Sequence, residues 1–352
     1  MDLGRQENNM KKALVTGGCG FIGSNLTKEL TKQGWQVDIV DDMSNGHLEL
    51  LGGLKFKTLP SASFVYHFMN QMKGKTQRAK NTVLVIQDDF AAPALLDYIE
   101  TDAYDVIFHQ AAVPRVSYSV EFPYETTINN IAKTVSLFDA AKGHVKRIVN
   151  ASSSSVYGGA NKLPTKESEN QKSPKSPYAW QKSAIEDYSK ICADLYNLDI
   201  VNLRYFNVFG PGQYGNSPYS TAVSAWCHAI KNGLECRSDG DGEQTRDMCY
   251  IDNIVSANIL AANATGKFKG LAYNVACGDR VSNNEILNYL KSQFGDRVKV
   301  KNAPERPGDV KHTQADISYA TQDFGYKPLV RFWEGLERTI EWWEIKSDES
   351  NK

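Results

Sequence analysis

The chain has 352 residues, and its 40 Lys and Arg nearly balance 41 Asp and Glu to give a formal net charge of -1. That gives no reason to expect nucleic acid or an anionic membrane as a main partner, and leaves anionic ligands to a few local groups. Apolar residues make up 41% and charged residues 23%, which suits a large buried core spread over about two domains, or one with a lobe grafted on. Six dispersed cysteines (Cys19, Cys192, Cys227, Cys236, Cys249, Cys277) form no C-x-x-C pair. They argue against a zinc site or a disulfide framework and fit a reducing cytosol. The polar opening "MDLGRQENNMKK" does not read as a signal peptide, and no apolar run approaches the ~20 residues of a membrane span.

In chain order, "KALVTGG" (12–18) and "QVDIVDD" (36–42) read as strands around a helix, with Gly34 at its C-cap. The pattern recurs in "TVLVIQDD" (82–89), a helix over 92–100 and "YDVIFHQAA" (104–112). A helix around 126–142, "KRIVNASSS" (146–154), a helix over 177–196 and "DIVNLRYFNVFG" (199–210) follow. The alternation predicts an α/β fold, a doubly wound parallel sheet with helices on both faces. Residues 48–80 read as a helical excursion with a solvated basic face at 73–80. Beyond 210, "GPGQYGNSPYS", "RSDGDGEQTRD" and "KNAPERPGD" read as loops lining a site, and 252–264 is again helical. The expected division is 10–206, with 247–275 returning to it, and a smaller interleaved domain of 207–246 and 276–345. The termini 1–9 and 346–352 are expected to be flexible.

"VTGGCGFIGS" joins the first strand to the first helix, and Gly17, Gly20 and Gly23 form G-x-x-G-x-x-G. Glycine there permits a tight turn and lets the backbone approach a pyrophosphate at the helix N-terminus. Phe21 and Ile22 lie within the same loop. Asp41, 18 residues beyond Gly23 at the end of the second strand, can hold both hydroxyls of an adenosine ribose. It would repel a 2′-phosphate, which favours NAD over NADP.

"SPKSPYAWQK" places Ser176 as N-cap and Pro177 at the first helical position, so Tyr178 and Lys182 share a face at i and i+4. An ordinary tyrosine, with a pKa of about 10, is a poor base at neutral pH. A neighbouring ammonium and an oxidised nicotinamide would both favour the phenolate. An isolated Y-x-x-x-K also occurs as a plain surface pair.

With "TGGCGFIGS", "HQAA", "SSSSVYG", "SPYAWQK", "RYFNVFGPG", "GDGEQTRDMCYIDN" and "RPGDVKHTQAD", the chain resembles the extended short-chain dehydrogenase/reductase family, in its nucleotide-sugar 4-epimerase branch, from about residue 12 to 343. The resemblance implies a Rossmann-type sheet, bound NAD, a UDP-sugar substrate, no metal, and a homodimer through a four-helix bundle near 126–142 and 177–196. In the family the reacting serine lies four residues before the tyrosine of "VYG" and 25 before the reacting tyrosine; both counts give Ser153, beside Tyr178 and Lys182. Ser154 would also face the sugar. By the same resemblance Asn45 and Gly46 hold the ribose, and Asp89 and Phe90 flank the adenine. Ala111, Ala112, Asn130 and the backbone near Tyr205 line the cofactor channel. Asn207, Arg246, Arg306 and Asp309 would grip the nucleotide diphosphate and its ribose, the two arginines through bidentate charge-assisted bonds.

The implied reaction is transient oxidation at C4, rotation of the 4-keto sugar and hydride return, with Tyr178 removing the hydroxyl proton and Ser153 bridging. Dehydratases and decarboxylases of the family carry a carboxylate just before "VYG"; here Ser154, Ser155 and Val156 stand there. Two departures are Lys133, where the family often has glycine, and "VIQD", which does not end in glycine before Asp89. The gatekeeper four residues after the aspartate of "RPGD" is Thr313 rather than a bulky tyrosine, leaving room for a 2-N-acetyl group. UDP-N-acetylglucosamine/UDP-N-acetylgalactosamine interconversion is therefore favoured. UDP-glucose and UDP-glucuronate epimerisation stay open, although glucuronate epimerases tend to have threonine in place of Asn207. A non-catalytic NAD-binding regulator is the alternative from another class.

Overall fold

A computed structural model describes residues 10–72, 81–114, 116–217, 220–305 and 310–345. It opens with β1 (Lys12–Thr16), α1 (Phe21–Lys32) and β2 (Gln36–Asp41). Then come β3 (Lys55–Pro60), α2 (Ser61–Met72), β4 (Thr82–Gln87), α3 (Pro93–Ile99) and β5 (Val106–His109). After α4 (Val116–Glu121), helix α5 (Pro123–Thr127) runs through a π turn, Ile128–Ala132, into α6 (Lys133–Ala141). Next are β6 (Arg147–Ser153), α7 (Pro177–Tyr196), β7 (Ile200–Tyr205), β8 (Val208–Phe209) and α8 (Ala222–Lys231). The chain continues with β9 (Glu235–Asp239), β10 (Thr245–Arg246), β11 (Cys249–Tyr250), α9 (Ile251–Asn263), β12 (Ala272–Val275) and β13 (Val281–Ser282). It ends with α10 (Asn283–Phe294), β14 (Lys299–Ala303), α11 (Ser318–Phe324) and α12 (Phe332–Trp342).

Eight strands form one sheet in the order β12-β7-β6-β5-β1-β2-β4-β3, and each neighbouring pair is parallel. Both faces are covered, which is why its strands are apolar at successive positions. Ala13 and Val15 pack with Leu26 and Leu30 of α1 on one face. Leu14 packs with Phe138 of α6 and Ile185 of α7 on the other. This is the doubly wound, Rossmann-type sheet. Strand order reverses between β1 and β5, and a crevice opens there at the carboxyl ends of the strands.

Two expectations need correction. The 48–80 segment is not simply a helical excursion: it adds β3 to the sheet edge, in register with β4 from Lys55↔Thr82 to Pro60↔Gln87. Its exposed Lys55, Phe56 and Lys57 give no alternation to read, and lysines suit an open edge. Residues 73–80 lie outside the described residues. The "RSDGDGEQTRD" and "KNAPERPGD" stretches are not wholly loops, because β9 and β14 pair in parallel there. β14 has no buried residue, β9 buries only Cys236 and Ser238, and the two carry few β-branched residues, which hid them. The helix expected from 126 starts earlier because Pro123 takes its first position. Among the described residues no helix is long and apolar enough to cross a membrane. The termini 1–9 and 346–352 lie outside the described residues.

Candidate active site

A cavity of about 700 Å³ occupies the crevice, lined on one wall by Gly17, Phe21, Ile22, Gly23 and Asn45 and on the other by Ala151, Tyr178, Lys182 and Tyr205. The glycine wall leaves no space for side chains where the chain folds back on itself. Gly17 has φ +66°, and a Cβ on it would stand 2.9 Å from the Ala111 backbone. At Gly23 a Cβ would lie 2.2 Å from the Gly17 carbonyl oxygen, so α1 can start against the turn only with glycine there. Asp41 is buried at the end of β2, where its carboxylate accepts the Cys19 N–H at 2.8 Å and the Met43 N–H at 2.9 Å. Burial raises its pKa, and these two N–H groups pull it back. Gly46 closes over that carboxylate, since a Cβ there would be 2.4 Å from Oδ1. A side-chain-free cradle at a helix start, with a buried carboxylate beside it, fits the pyrophosphate and ribose of a dinucleotide.

Asp89 and Phe90 follow β4. Asp89 accepts the Ala91 N–H at 2.8 Å and pairs with Lys133, and the Phe90 ring meets the edge of His109. The departure at Lys133 thus lands on the residue assigned to the adenine. Ala112 lines the cavity, and the Ala111 N–H donates to Thr16 Oγ1 at 3.1 Å. Asn130 is spent inside the protein: its amide exchanges bonds with the Val113 backbone and donates to Gln181 at 2.8 Å. It braces the channel wall rather than facing the channel.

Tyr178 starts α7 behind Pro177, and Ser176 caps the helix by accepting the Ala179 N–H. Ser153, at the end of β6, sits near enough to the Tyr178 hydroxyl to favour its anion. Lys182, one turn on and buried, donates to the Ala151 carbonyl at 2.7 Å, and its Nζ lies 5.9 Å from the Tyr178 ring centre. Burial pushes the Tyr178 phenol up to about 12, and the Ser153 hydroxyl pulls it back. The same dryness lowers Lys182 to about 8. Burial and a nearby cation thus act on this phenol in opposite directions. Ser154 follows in a short 3-10 turn, partly exposed.

Asn207 and Thr313 come together in the smaller lobe, although far apart in sequence, with Asn207 Nδ2 3.4 Å from Thr313 Oγ1. Arg246 donates to the Thr245 and Lys311 carbonyls. Arg306 and Asp309 lie outside the described residues. Sequence reasoning missed Asp247, which holds this lobe together. Fully buried, its carboxylate accepts the N–H groups of Cys277, Gly278 and Ala315 at 3.0, 3.1 and 3.0 Å. Its own N–H donates to Thr313 Oγ1 at 3.1 Å, and its carbonyl accepts Asn207 Nδ2 at 3.1 Å. Its place beside Arg246 in "QTRD" was the available signal, but nothing local reveals that it is buried. Also missed were His47 and Tyr214, whose rings meet at 4.9 Å beside the cavity they both line. Among the described residues no cluster of His, Cys, Asp or Glu could hold a metal ion.

Comparison with known proteins agrees with this arrangement. The profile of the NAD dependent epimerase/dehydratase family matches residues 13–276. A UDP-glucose 4-epimerase of Mycolicibacterium smegmatis is 31% identical over 341 residues, covering 96% of this chain and 99% of that protein. Among solved structures, a UDP-N-acetylglucosamine 4-epimerase from Methanobrevibacter ruminantium, in complex with UDP-N-acetylmuramic acid, superposes with a TM-score of 0.82 at 36% identity. It covers 95% of this chain and 98% of its own. A UDP-glucuronic acid 4-epimerase from Bacillus cereus, bound to UDP-glucuronic acid and NAD, gives a TM-score of 0.76 at 28% identity, over 95% and 99%.

Proposed function

This chain belongs to the NAD dependent epimerase/dehydratase family, whose members are NAD-using enzymes, and we propose that it is an isomerase that inverts C4 of UDP-sugars, acting on UDP-N-acetylglucosamine and UDP-N-acetylgalactosamine. The observation that carries the reaction is Tyr178 set beside Ser153 and backed by Lys182, with no carboxylate among Ser154, Ser155 and Val156. Gly17, Gly20, Gly23 and Asp41 would hold NAD, which when bound supplies the hydride acceptor and donor at C4. Tyr178 takes the proton of the C4 hydroxyl and gives it back, and Ser153 bridges the two oxygens. The Lys182 ammonium, away from water, favours the phenolate through the middle of the cycle. Asn207 and Arg246 keep the nucleotide in place while the oxidised sugar turns. In this reading residues 10–206 and 247–275 form the NAD half, supported by the seat of β12 in the main sheet, and 207–246 with 276–345 form the sugar half.

Thr313 carries the choice of sugar. Its hydroxyl is held by the Asp247 N–H, and a threonine there leaves the ring's C2 side open. The Methanobrevibacter relative, named for an N-acetylated sugar and crystallised with another, supports the same reading. Purified protein incubated separately with UDP-N-acetylglucosamine, UDP-glucose and UDP-glucuronate, and followed by the anomeric proton signals, should convert the first fastest. Thr313→Tyr should lose that activity by about tenfold or more while keeping UDP-glucose turnover. Equal losses on both sugars would remove Thr313 as the gatekeeper. Val120, Tyr124, Trp180 and Leu195 expose large apolar side chains on α4, α5 and α7, which pack on one another. A second copy of the chain would cover them. Sedimentation at micromolar concentration should give a dimer, and Trp180→Glu a monomer.

A further inference from the structure

The four serines at 152–155 do not share one role: Ser152 lines the cavity, yet its hydroxyl is spent on α7. Its hydroxyl donates to Glu186 Oε1 at 2.6 Å. Glu186 is 1% exposed and sits on α7, one turn beyond Lys182. Arg204 of β7, itself buried, grips the same carboxylate with Nε at 2.8 Å and Nη2 at 2.7 Å. The guanidinium then donates to the Tyr157 hydroxyl at 2.7 Å, which donates to Asn274 at 2.7 Å. Asn274 in turn donates to the carbonyls of Thr165 and Asp316, the latter three residues beyond Thr313.

Stability alone gives little reason for this arrangement, because a buried ion pair is often no better than apolar side chains of the same volume. What the pair supplies is direction. Ser152 stands between Ala151, whose carbonyl receives Lys182, and Ser153, which sits beside the Tyr178 hydroxyl. Fixing Ser152 on α7 therefore sets both neighbours against the two side chains that α7 presents.

We propose that Glu186 is a positioning residue for the Tyr178–Lys182 pair, acting through Ser152 and Arg204 to lock the end of β6 onto α7. This rests on the reading of Tyr178 and Lys182 as the pair that moves the proton. The titratable groups facing Lys182 are Tyr178 and Glu186 on α7 and His109 on β5. Those facing Glu186 are Lys182, Arg204 and, at 3.7 Å, Lys172; Tyr157 and Glu167 act on it through Arg204. The Glu186 charge raises the proton affinity of Lys182 against its burial.

Three variants test the proposal: Ser152→Ala, Glu186→Gln and Glu186→Asp. Ser152→Ala should lower kcat about tenfold with KM within about twofold, as expected when reacting groups lose alignment. Glu186→Gln should lower kcat further and move the alkaline limb of its pH profile down by about one unit, because Lys182 then loses its proton more easily. Glu186→Asp should restore the limb but not the full rate. A folded Ser152→Ala enzyme with wild-type kcat, or a folded Glu186→Gln enzyme with an unmoved limb, would overturn the proposal. Glu186→Gln leaves Arg204 buried without its partner; should it fail to fold, Ser152→Ala decides. A wild-type protein inactive on every UDP-sugar would overturn the functional reading instead. The Lys182 titration, read from the 15N signal of its ammonium and assigned by its loss in Lys182→Met, would then still judge the positioning: a downward shift in Glu186→Gln supports it and no shift refutes it.

Discussion

The two halves of the site are built in opposite ways. In the NAD half, Gly17 to Gly46 form one continuous stretch, and its geometry is set by a backbone ladder running from Lys12↔Gln36 to Thr16↔Val40. Many hydrogen bonds share that task, and the glycines only have to keep out of the way. In the half proposed to hold the sugar, Asn207 and Thr313 are 106 residues apart and meet at the peptide group of Asp247, the first residue of the returning segment. Three segments, around Asn207, Cys277–Gly278 and Thr313–Ala315, depend on its carboxylate and its peptide group. A half held by a ladder should fail locally when altered, whereas a half held by one residue should fail as a unit.

Asp247→Ala is the largest break on this view. It leaves three buried N–H groups without an acceptor, at about 1–3 kcal/mol each, so a loss of about 3 kcal/mol or more in urea unfolding is expected. UDP-sugar binding should vanish while NAD is retained. Loss of both ligands together would mean that the halves are not separable. The pH dependence carries a sign of its own. Burial raises the Asp247 pKa from 3.8 to about 7 despite the three N–H groups. A carboxyl whose folded pKa lies above its unfolded one stabilises the fold most when protonated. Its contribution is complete below about pH 4 and is lost as pH rises through about 7. Melting temperatures of wild type and Asp247→Asn across that window should diverge with this sign.

Gly23→Ala comes next and sharpens the other half. Its Cβ would meet backbone on two sides, the Gly17 oxygen at 2.2 Å and the Gly18 Cα at 2.7 Å, and backbone has no rotamer with which to yield. A cost of about 1–3 kcal/mol and loss of NAD are expected from such overpacking, read by thermal unfolding and by bound-nucleotide absorbance. UDP binding by the other half should survive.

This contrast also explains how much was legible in the sequence. The glycine loop, Asp41 and the Tyr178–Lys182 spacing are short-range patterns, and a helix or strand period turns them directly into geometry. Helix α7 matches its expected 177–196 span because Ser176 and Pro177 mark its start. Asp247, Glu186 and the His47–Tyr214 contact could not be read this way, because burial and partners 30 or more residues away leave no local period. Strand β3 escaped for a different reason: an edge strand with one poorly buried face has no alternation to display.

Gly20→Ala is the smallest effect and the most discriminating. Gly20 is the N-cap of α1, with an extended φ of -81° that any residue can adopt. A Cβ there would touch only the Gly17 carbonyl oxygen, at 3.3 Å, where a shift of a few tenths of an ångström suffices. Alanine and glycine at an N-cap differ by no more than about 1 kcal/mol, so thermal unfolding should scarcely move. The added methyl would nevertheless stand at the start of the helix, where a pyrophosphate must come close to backbone N–H groups. NAD affinity should therefore fall about tenfold in a protein of near wild-type stability, while Gly23→Ala loses both. If Gly20→Ala binds NAD as tightly as wild type, the phosphates do not approach the chain at Gly20. If it unfolds as readily as Gly23→Ala, the loop is held by tight packing throughout, and the ladder does not protect it.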